Sequence, residues 1–309
     1  MSLPTCDSLL FDLHPPERER SALTSPGKIT GATLDSASRG SPPPPSGGVW
    51  DYVSPTRLAL WLKCPLAFRL RYIDGIESPA SPGLFVGRVV HAGLESWYRH
   101  RQLGIPLESA ELCRRLDEWW EHAGSQEPVA FASAAEESGC RRQAIDLVRT
   151  YLHQVPDEEP TPLAVEQAVE APLVDPVNGE SLGIPLVGVM DLVLPEPDGA
   201  VITDFKTAAR GGELLETAHE IQLSSYSYLY RHASRVAESA LEIRSLIKTK
   251  VPRIETHRYP ARAERHYRRL FSVIRAYLDD LHAQRFVFRP GLGCAMCEFR
   301  DTHCRQWDG

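Results

Sequence analysis

Two short apolar segments joined by a turn constrain the fold of this chain more than any other feature. Residues 188–194 read GVMDLVL and residues 200–208 read AVITDFKTA, with the turn PEPDG between them. Apolar runs around such a turn predict two antiparallel strands of one sheet. Each strand also carries an acid where an apolar residue is expected. These acids are Asp191 in the first strand and Asp204 in the second, with Lys206 two residues further on.

Antiparallel pairing of these strands brings the charged side chains together. It places Asp191 opposite Thr203 or Asp204, and Asp204 shares a face with Lys206 because strand side chains repeat every two residues. Two carboxylates that meet in a half-buried setting raise each other's pKa unless a cation neutralises them. Their oxygen atoms suit Mg²⁺ or Mn²⁺, which can polarise a phosphoryl oxygen. The alternative interpretation is an Asp–Lys ion pair on an exposed sheet face.

The order of the remaining elements predicts an α/β fold. Helical signals come first, then strand signals, and then both together. Ser54 and Pro55 predict a helix start and Pro65 predicts its end, so Cys64 closes a short helix. Apolar periodicity predicts further helices near 83–100, 107–123, 136–154, 219–236 and 262–284, and strands near 163–174, 181–194, 241–250 and 254–260. This order favours a mixed sheet flanked by helices over a doubly wound parallel sheet.

Composition sets the domain boundaries and the compartment. Residues 1–49 include SPPPPSGG and bury too little apolar surface to fold, which predicts a disordered tail before a folded domain of residues 50–309. No apolar run is long enough to cross a bilayer, and the start of the chain lacks a secretory signal. We therefore expect a cytoplasmic protein with no membrane partner.

The distribution of charge favours a nucleic-acid partner although the net charge is −7. Residues 244–275 hold 10 Lys and Arg against 2 Asp and Glu, whereas residues 107–170 hold 5 against 14. A basic groove on an acidic protein could follow a nucleic-acid backbone. The alternative is a solvated basic face. Tyr259, Tyr267 and Phe271 in this stretch could stack on bases, although their spacing is more typical of a core.

Four of the seven cysteines have the spacing of a metal site. Cys294 and Cys297 form a C-x-x-C pair, and Cys304 follows shortly after. A three-cysteine loop is incomplete, because structural zinc and cubane iron–sulfur clusters both usually take four ligands. Cys64 is the obvious fourth ligand. Cysteine spacing leaves both an iron–sulfur cluster and Zn²⁺ open, and His303 could replace one sulfur.

Five motifs in chain order resemble the PD-(D/E)XK nuclease superfamily, in particular its RecB-like branch. The G-x-x-D motif ends at Asp191, with Met190 where the superfamily usually has proline, and the D-x-K motif is Asp204 to Lys206. The other three motifs are G-x-x-x-H at Gly87–His91, Q-x-x-x-Y at Gln222–Tyr226, and S-P-T-R-L followed by C-P at residues 54–65.

The resemblance implies roles for individual residues. His91, Asp191, Asp204 and the Phe205 carbonyl are implied as ligands of Mg²⁺ or Mn²⁺, and Lys206 as the group that positions the attacking water. Gln222 and Tyr226 are implied to support the site. The cysteines resemble those of the AddB nuclease domain and of CRISPR-adaptation nucleases, which implies a [4Fe–4S] cluster on Cys64, Cys294, Cys297 and Cys304.

The resemblance further implies a hydrolase that cuts DNA. We expect a metal-dependent exonuclease acting on single-stranded DNA or frayed ends, in DNA repair, recombination or CRISPR adaptation. The sequence has no G-x-x-x-x-G-K-[ST] phosphate loop, so we expect no motor activity of its own. The protein could act alone, or beside a helicase or a CRISPR integrase as partner. Two alternatives stay open: an inactive DNA-binding or assembly module with the same fold, and a zinc-stapled protein of unrelated function.

Overall fold

The computed structural model describes residues 48–126, 128–156, 158–211 and 216–308. Residues 1–47 of the predicted tail lie outside this described part, and Gly48–Trp50 forms a short 3₁₀ turn. Among the described helices, none combines the length and the apolar character that a membrane crossing requires.

The described helices and strands follow the predicted order. The helices are α1 (Pro55–Lys63), α2 (Pro65–Tyr72), α3 (Pro82–Gln102), α4 (Ser109–Gln126), α5 (Ala134–Gln154), α6 (Glu216–Ser234) and α7 (Glu264–His282). The strands are β1 (Ala164–Val174), β2 (Ser181–Glu196), β3 (Gly199–Ala208), β4 (Ala240–Ile247) and β5 (Arg253–Pro260).

The five strands form one mixed sheet in the order β1-β2-β3-β4-β5. Strands β2 and β3 pair antiparallel, β3 and β4 pair parallel, and β4 and β5 pair antiparallel. The parallel pair needs a crossover connection, and α6 lies in it. The prediction of an α/β fold with a mixed sheet and flanking helices is confirmed.

The chain divides into two compact units. Residues Glu77–Gln167 and Val189–Arg262 form the first unit. The second unit contains the described residues up to Ile76, the segment Ala168–Gly188 and the residues from Ala263 onward. In the first unit, α3 contacts β3, and α5 contacts β4 and β5. Strands β1 and β2 each contribute one part to each unit.

The second unit contains the predicted short helix and a second helix that the sequence did not reveal. Ser54 caps α1 by accepting a hydrogen bond from the Arg57 N–H at 3.2 Å, and Cys64 follows the last residue of the helix, as predicted. Pro65 ends α1 but also opens α2. Proline lacks the N–H that would continue α1, which ends that helix. The same residue is favoured at a first helical position, where no intrahelical N–H bond is made, so it also begins α2.

The basic stretch at 244–275 does not present the aromatic side chains that nucleic-acid stacking would need. Tyr259 in the first unit is 8% exposed, and Tyr267 and Phe271 in the second unit are 6% and 0% exposed. Arg262 is buried and the Arg244 side chain is only 14% exposed, and both form ion pairs with acids of the first unit. These aromatic residues are core, which was the second of the two interpretations.

Candidate metal centre

The β2–β3 hairpin brings the two predicted acids to the same part of the first unit. Leu192 pairs with Thr203, so one further step along the register brings Asp191 level with Asp204. Residues that oppose each other in an antiparallel pair share a face. Of the two registers that the sequence allowed, the structure has the one that places Asp191 beside Asp204.

Asp191 is held by both the strand and a helix. Its Oδ2 accepts a hydrogen bond from the Phe205 N–H at 2.8 Å, so a side chain takes the place of a backbone partner at this point of β3. The His91 Nδ1 atom lies 3.7 Å from the same oxygen. The Asp191 side chain is 11% exposed and that of His91 is 30% exposed. The pair is thus mostly shielded but open on the histidine side.

The G-x-x-x-H motif acts through the packing of α3 on β3. A Cβ atom added to Gly87 would lie 3.1 Å from the Thr207 Oγ1 atom, which is closer than most real Cβ contacts. Glycine at this position therefore lets the helix approach the end of β3 closely. His91 follows Gly87 by four residues, about one helical turn, so the two residues lie on the same helix face.

Glu166 completes a group that the sequence did not predict. Ligand atoms of His91, Glu166 and Asp191 all lie within 4.8 Å of one another. The Leu163 N–H donates to the Val193 carbonyl at 2.8 Å, which aligns the start of β1 with β2. Glu166 has a φ of 44°, which is left-handed for a residue inside a strand and costs about 1–3 kcal/mol. Such strain is often found at functional sites.

Asp204 forms the second half of the site together with α6. It is 1% exposed, and its Oδ2 lies 2.7 Å from the Lys206 Nζ. The Gln222 Nε2 donates to Asp204 Oδ1 at 2.8 Å and lies 2.9 Å from the Tyr226 hydroxyl. The Q-x-x-x-Y motif therefore contacts the D-x-K motif directly. Asp204 is not part of the group formed by His91, Glu166 and Asp191.

The electrostatics of the site favour a bound cation. Burial and the neighbouring Asp204 raise the pKa of Asp191 to about 6, although the charges of His91 and Lys206 lower it in part. Burial opposes the charge of Lys206, but Asp204 and Asp191 outweigh it and raise the Lys206 pKa. Lys206 is therefore an ammonium at neutral pH, which stabilises negative charge but is not a base. Burial also holds the pKa of Tyr226 well above its ordinary value.

We expect Mn²⁺ binding to weaken at acidic pH. A cation at this site would bind the Asp191 carboxylate and not the carboxylic acid, whose pKa is about 6. Below about pH 6 a proton competes with the metal, and affinity falls up to about tenfold for each pH unit, whereas above it this group adds no dependence. Isothermal titration with Mn²⁺ between pH 5 and 8 measures this. Constant affinity down to pH 5 would contradict the raised pKa.

Glu166→Gln is expected to weaken Mn²⁺ binding at least about tenfold, because the change removes a negative oxygen ligand and keeps the size of the side chain. The matched control is Glu170→Gln, which alters an exposed acid on the same strand and should leave the affinity unchanged. Equal Mn²⁺ affinity in Glu166→Gln and wild type would exclude Glu166 from the site.

The four predicted cysteine ligands lie near one another in the second unit. Cys64, Cys297 and Cys304 pack against the buried cluster of Leu66, Ala67, Leu70 and Phe299. The Arg289 N–H donates to the Cys64 Sγ at 3.4 Å, and the Arg289 carbonyl lies 3.9 Å from the Cys294 Sγ. Burial raises the pKa of Cys304, as do the neighbouring Cys297, Cys64 and Cys294.

The α/β core and its D-x-K hairpin agree with the comparison with known protein families. The model of the PD-(D/E)XK nuclease superfamily matches residues 52–305, and the chain belongs to this superfamily. Its members use divalent metals, which agrees with the donor atoms of His91, Glu166 and Asp191. Comparison with curated proteins gives no match.

Solved structures that resemble the chain are distant from it in sequence. The structure of a candidate exonuclease from Eubacterium rectale superposes with a TM-score of 0.52 at 12% identity, covering 82% of this chain and 88% of that one. The structure of a protein named SSO0001 superposes with a TM-score of 0.41 at 13% identity, covering 97% of this chain and 96% of that one. At such identities the first likeness shows the fold alone.

Proposed function

We propose that this protein is a metal-dependent exonuclease that hydrolyses single-stranded DNA or the frayed ends of duplex DNA. The observation that carries the proposal is a group of side chains suited to a divalent metal ion, together with a protonated lysine on the same hairpin. Glu166 and Asp191 supply carboxylate oxygens, and His91 supplies an imidazole nitrogen within 4.8 Å. Lys206 lies at the same hairpin as an ammonium. Family membership supports phosphodiester hydrolysis as the use of this arrangement.

The donor set fits Mg²⁺ or Mn²⁺. Both ions prefer oxygen ligands, and Mn²⁺ also accepts an imidazole. We assign His91, Glu166 and Asp191 to the metal, together with Asp204 and the Phe205 carbonyl as the family resemblance implies. The raised pKa of Asp191 supports this assignment, because a buried acid with such a pKa gains most from a neutralising cation. When bound, the metal lowers the pKa of water and polarises a phosphoryl oxygen.

The residues of the chain provide orientation and charge stabilisation. Lys206, held by Asp204, positions the attacking water and stabilises the negative charge that develops on the phosphate. Gln222 holds Asp204 and contacts the Tyr226 hydroxyl, so α6 fixes the D-x-K segment. The Phe205 N–H fixes the orientation of Asp191. Preorganised groups of this kind need no rearrangement when the reaction occurs.

We further propose that Cys64, Cys294, Cys297 and Cys304 hold a [4Fe–4S] cluster. Cys64, Cys297 and Cys304 pack against one buried apolar cluster, and burial and the other three cysteines all raise the pKa of Cys304, so the four thiols are neighbours. Both a cubane and Zn²⁺ take four such ligands, and the family resemblance favours the cluster. Its role would be to join α1 to the C-terminal loop.

The proposed class implies DNA ends as the site of attack. A helicase or a CRISPR integrase would supply the DNA end, in repair, recombination or CRISPR adaptation. The Eubacterium rectale relative carries an exonuclease name, which supports attack from an end. The basic side chains that stay at the surface of the stretch 244–275 would contact phosphates rather than bases.

Linear and circular substrates test the exonuclease proposal. With Mn²⁺, we expect end-labelled linear single strands to be degraded while a closed single-stranded circle of the same sequence persists. Labels at either end report the polarity. Loss of the circle at the same rate as the linear strand would identify an endonuclease instead.

Analysis for iron and acid-labile sulfide tests the proposed cluster. A colourless protein that contains zinc without iron would refute it.

A further inference from the structure

A buried polar network lies directly behind the proposed metal site. Arg244 on β4 donates from Nη1 to the Tyr98 hydroxyl at 2.9 Å, the Tyr151 hydroxyl at 2.6 Å and the Glu159 Oε1 at 2.6 Å. Its Nε donates to the Glu242 Oε1 at 2.6 Å. The two tyrosine hydroxyls lie 2.5 Å apart, and the Tyr98 hydroxyl donates to Glu159 Oε2 at 2.8 Å. Helices α3 and α5 are thereby connected to the sheet.

The rings of this network enclose the side chain of Phe205. Arg244 pairs with Phe205 in the parallel β3–β4 ladder, so the two side chains share a face of the sheet. The Tyr98 ring stacks on the Phe205 ring at a centroid distance of 6.0 Å and an interplanar angle of 27°, and the Tyr151 ring meets it at 90° and 5.5 Å. The His91 ring lies 6.2 Å from it at 87°. Phe205 is consequently only 3% exposed.

Phe205 connects the network to the metal ligands. Its backbone N–H holds Asp191, and its ring contacts His91. A shift of the Phe205 ring would therefore move the donor on which the orientation of Asp191 depends. We propose that Arg244, Tyr98 and Tyr151 are positioning residues that set the affinity of the metal centre through Phe205. This inference rests on the proposed function, because it assumes that His91 and Asp191 bind a metal.

The composition of the network supports a role beyond packing. Its charged side chains are nearly buried, with 14% exposure for Arg244, 5% for Glu159 and 10% for Glu242. Buried ion pairs can often be replaced by apolar groups without loss of stability, so stability alone does not explain them. Burial raises the pKa of Tyr151 to about 12 and that of Tyr98 still further. Both hydroxyls therefore stay protonated, and their directional bonds fix the rings around Phe205.

Direct measurement of Mn²⁺ binding without DNA tests the proposal. Free Mn²⁺ is followed by electron paramagnetic resonance in wild type, Arg244→Met, Arg244→Lys and the double variant Tyr98→Phe/Tyr151→Phe. The double variant keeps both rings and removes only the hydroxyls. We expect the Mn²⁺ Kd to rise about tenfold in Arg244→Met and at least about threefold in the double variant. Changes of this size are typical when residues that orient metal ligands are replaced. Arg244→Lys is expected to restore most of the affinity.

Arg231→Met is the matched control. Arg231 in the first unit forms an ion pair with the buried Glu238, with N···O distances of 2.8 and 3.0 Å. This variant should lose stability and keep the Mn²⁺ Kd. A Kd within twofold of wild type in the double tyrosine variant would overturn the proposal, as would an equal rise in Arg231→Met.

Two further outcomes, a variant that does not fold and a wild type that does not cleave DNA, still leave the proposal testable. If Arg244→Met does not fold, the double tyrosine variant, which leaves every charge paired, gives the answer. A wild type that binds Mn²⁺ but does not cleave DNA would refute the proposed function, and the comparison of Mn²⁺ affinities would still test the network.

Discussion

Asp204→Asn is expected to reduce Mn²⁺-dependent DNA cleavage at least about 10³-fold, the upper range for the loss of one preorganised charge-stabilising group. Asp204 is 1% exposed and holds both Lys206 and Gln222. The amide removes the charge that neutralises Lys206 and that we assign to the metal. Cleavage of end-labelled single-stranded DNA at saturating Mn²⁺ measures the effect.

The matched control for this change is Asp198→Asn, which alters an exposed acid in the turn of the same hairpin. We expect Asp198→Asn to cleave DNA at the wild-type rate. The far-ultraviolet circular dichroism of both variants should match that of wild type, which would separate lost chemistry from lost folding. Wild-type cleavage by Asp204→Asn would remove this residue from the catalytic site.

Cys64→Ser is expected to lose the iron–sulfur cluster and to destabilise the second unit. Cys64 is the one predicted ligand on the early part of the chain, and it packs with Cys297 and Cys304 against a buried apolar cluster. A structural metal contributes on the order of 10 kcal/mol to folding in small domains. Losing one ligand should therefore lower Tm by about 10 °C or more. Iron content, visible absorbance and thermal unfolding measure this together.

Cys140→Ser provides the comparison for this prediction. Cys140 is a free cysteine of intermediate exposure like the four proposed ligands, but it lies on α5 in the first unit. Its replacement should change neither the iron content nor Tm. Cys64→Ser with a full complement of iron would mean that another side chain, for which His303 is the candidate, supplies the fourth ligand.

The sequence predicted the hairpin and its charged residues because both rest on local rules. The turn between residues 195 and 199 and the two-residue period of strand side chains place Asp204 and Lys206 on one face. The four-residue spacing of Gln222 and Tyr226 places both on one helix face, where they contact each other and Gln222 also contacts Asp204. The short helix before Cys64 followed from its cap and its prolines.

Glu166 could not be found in this way. In the alternating pattern of β1 it is typical of a solvent-facing acid, and the alignment of β1 with β2 cannot be read from either strand alone. Its left-handed φ is imposed by the surroundings, since only glycine and asparagine commonly adopt this conformation by themselves. The only sequence signal was an acid in the strand that precedes the hairpin.

The network around Arg244 was also hidden, for a different reason. Its members come from α3, α5, β4 and the segment before β1, so only the tertiary fold unites them. From the sequence, Arg244 belonged to a basic stretch with a suggested role at the surface. In the structure its charge is used inside the first unit, by Glu159 and Glu242.

DNA cleavage by the wild-type protein in Mn²⁺ and in EDTA, beside Lys206→Ala, tests the central claim most directly. Lys206→Ala keeps the fold of β3 and removes the ammonium that lies 2.7 Å from Asp204. The account predicts degradation of end-labelled single-stranded DNA by wild type in Mn²⁺, none in EDTA, and a rate reduced at least about 10²-fold in Lys206→Ala. Folded wild-type protein that binds DNA yet leaves it intact with Mn²⁺ and with Mg²⁺ would contradict the claim.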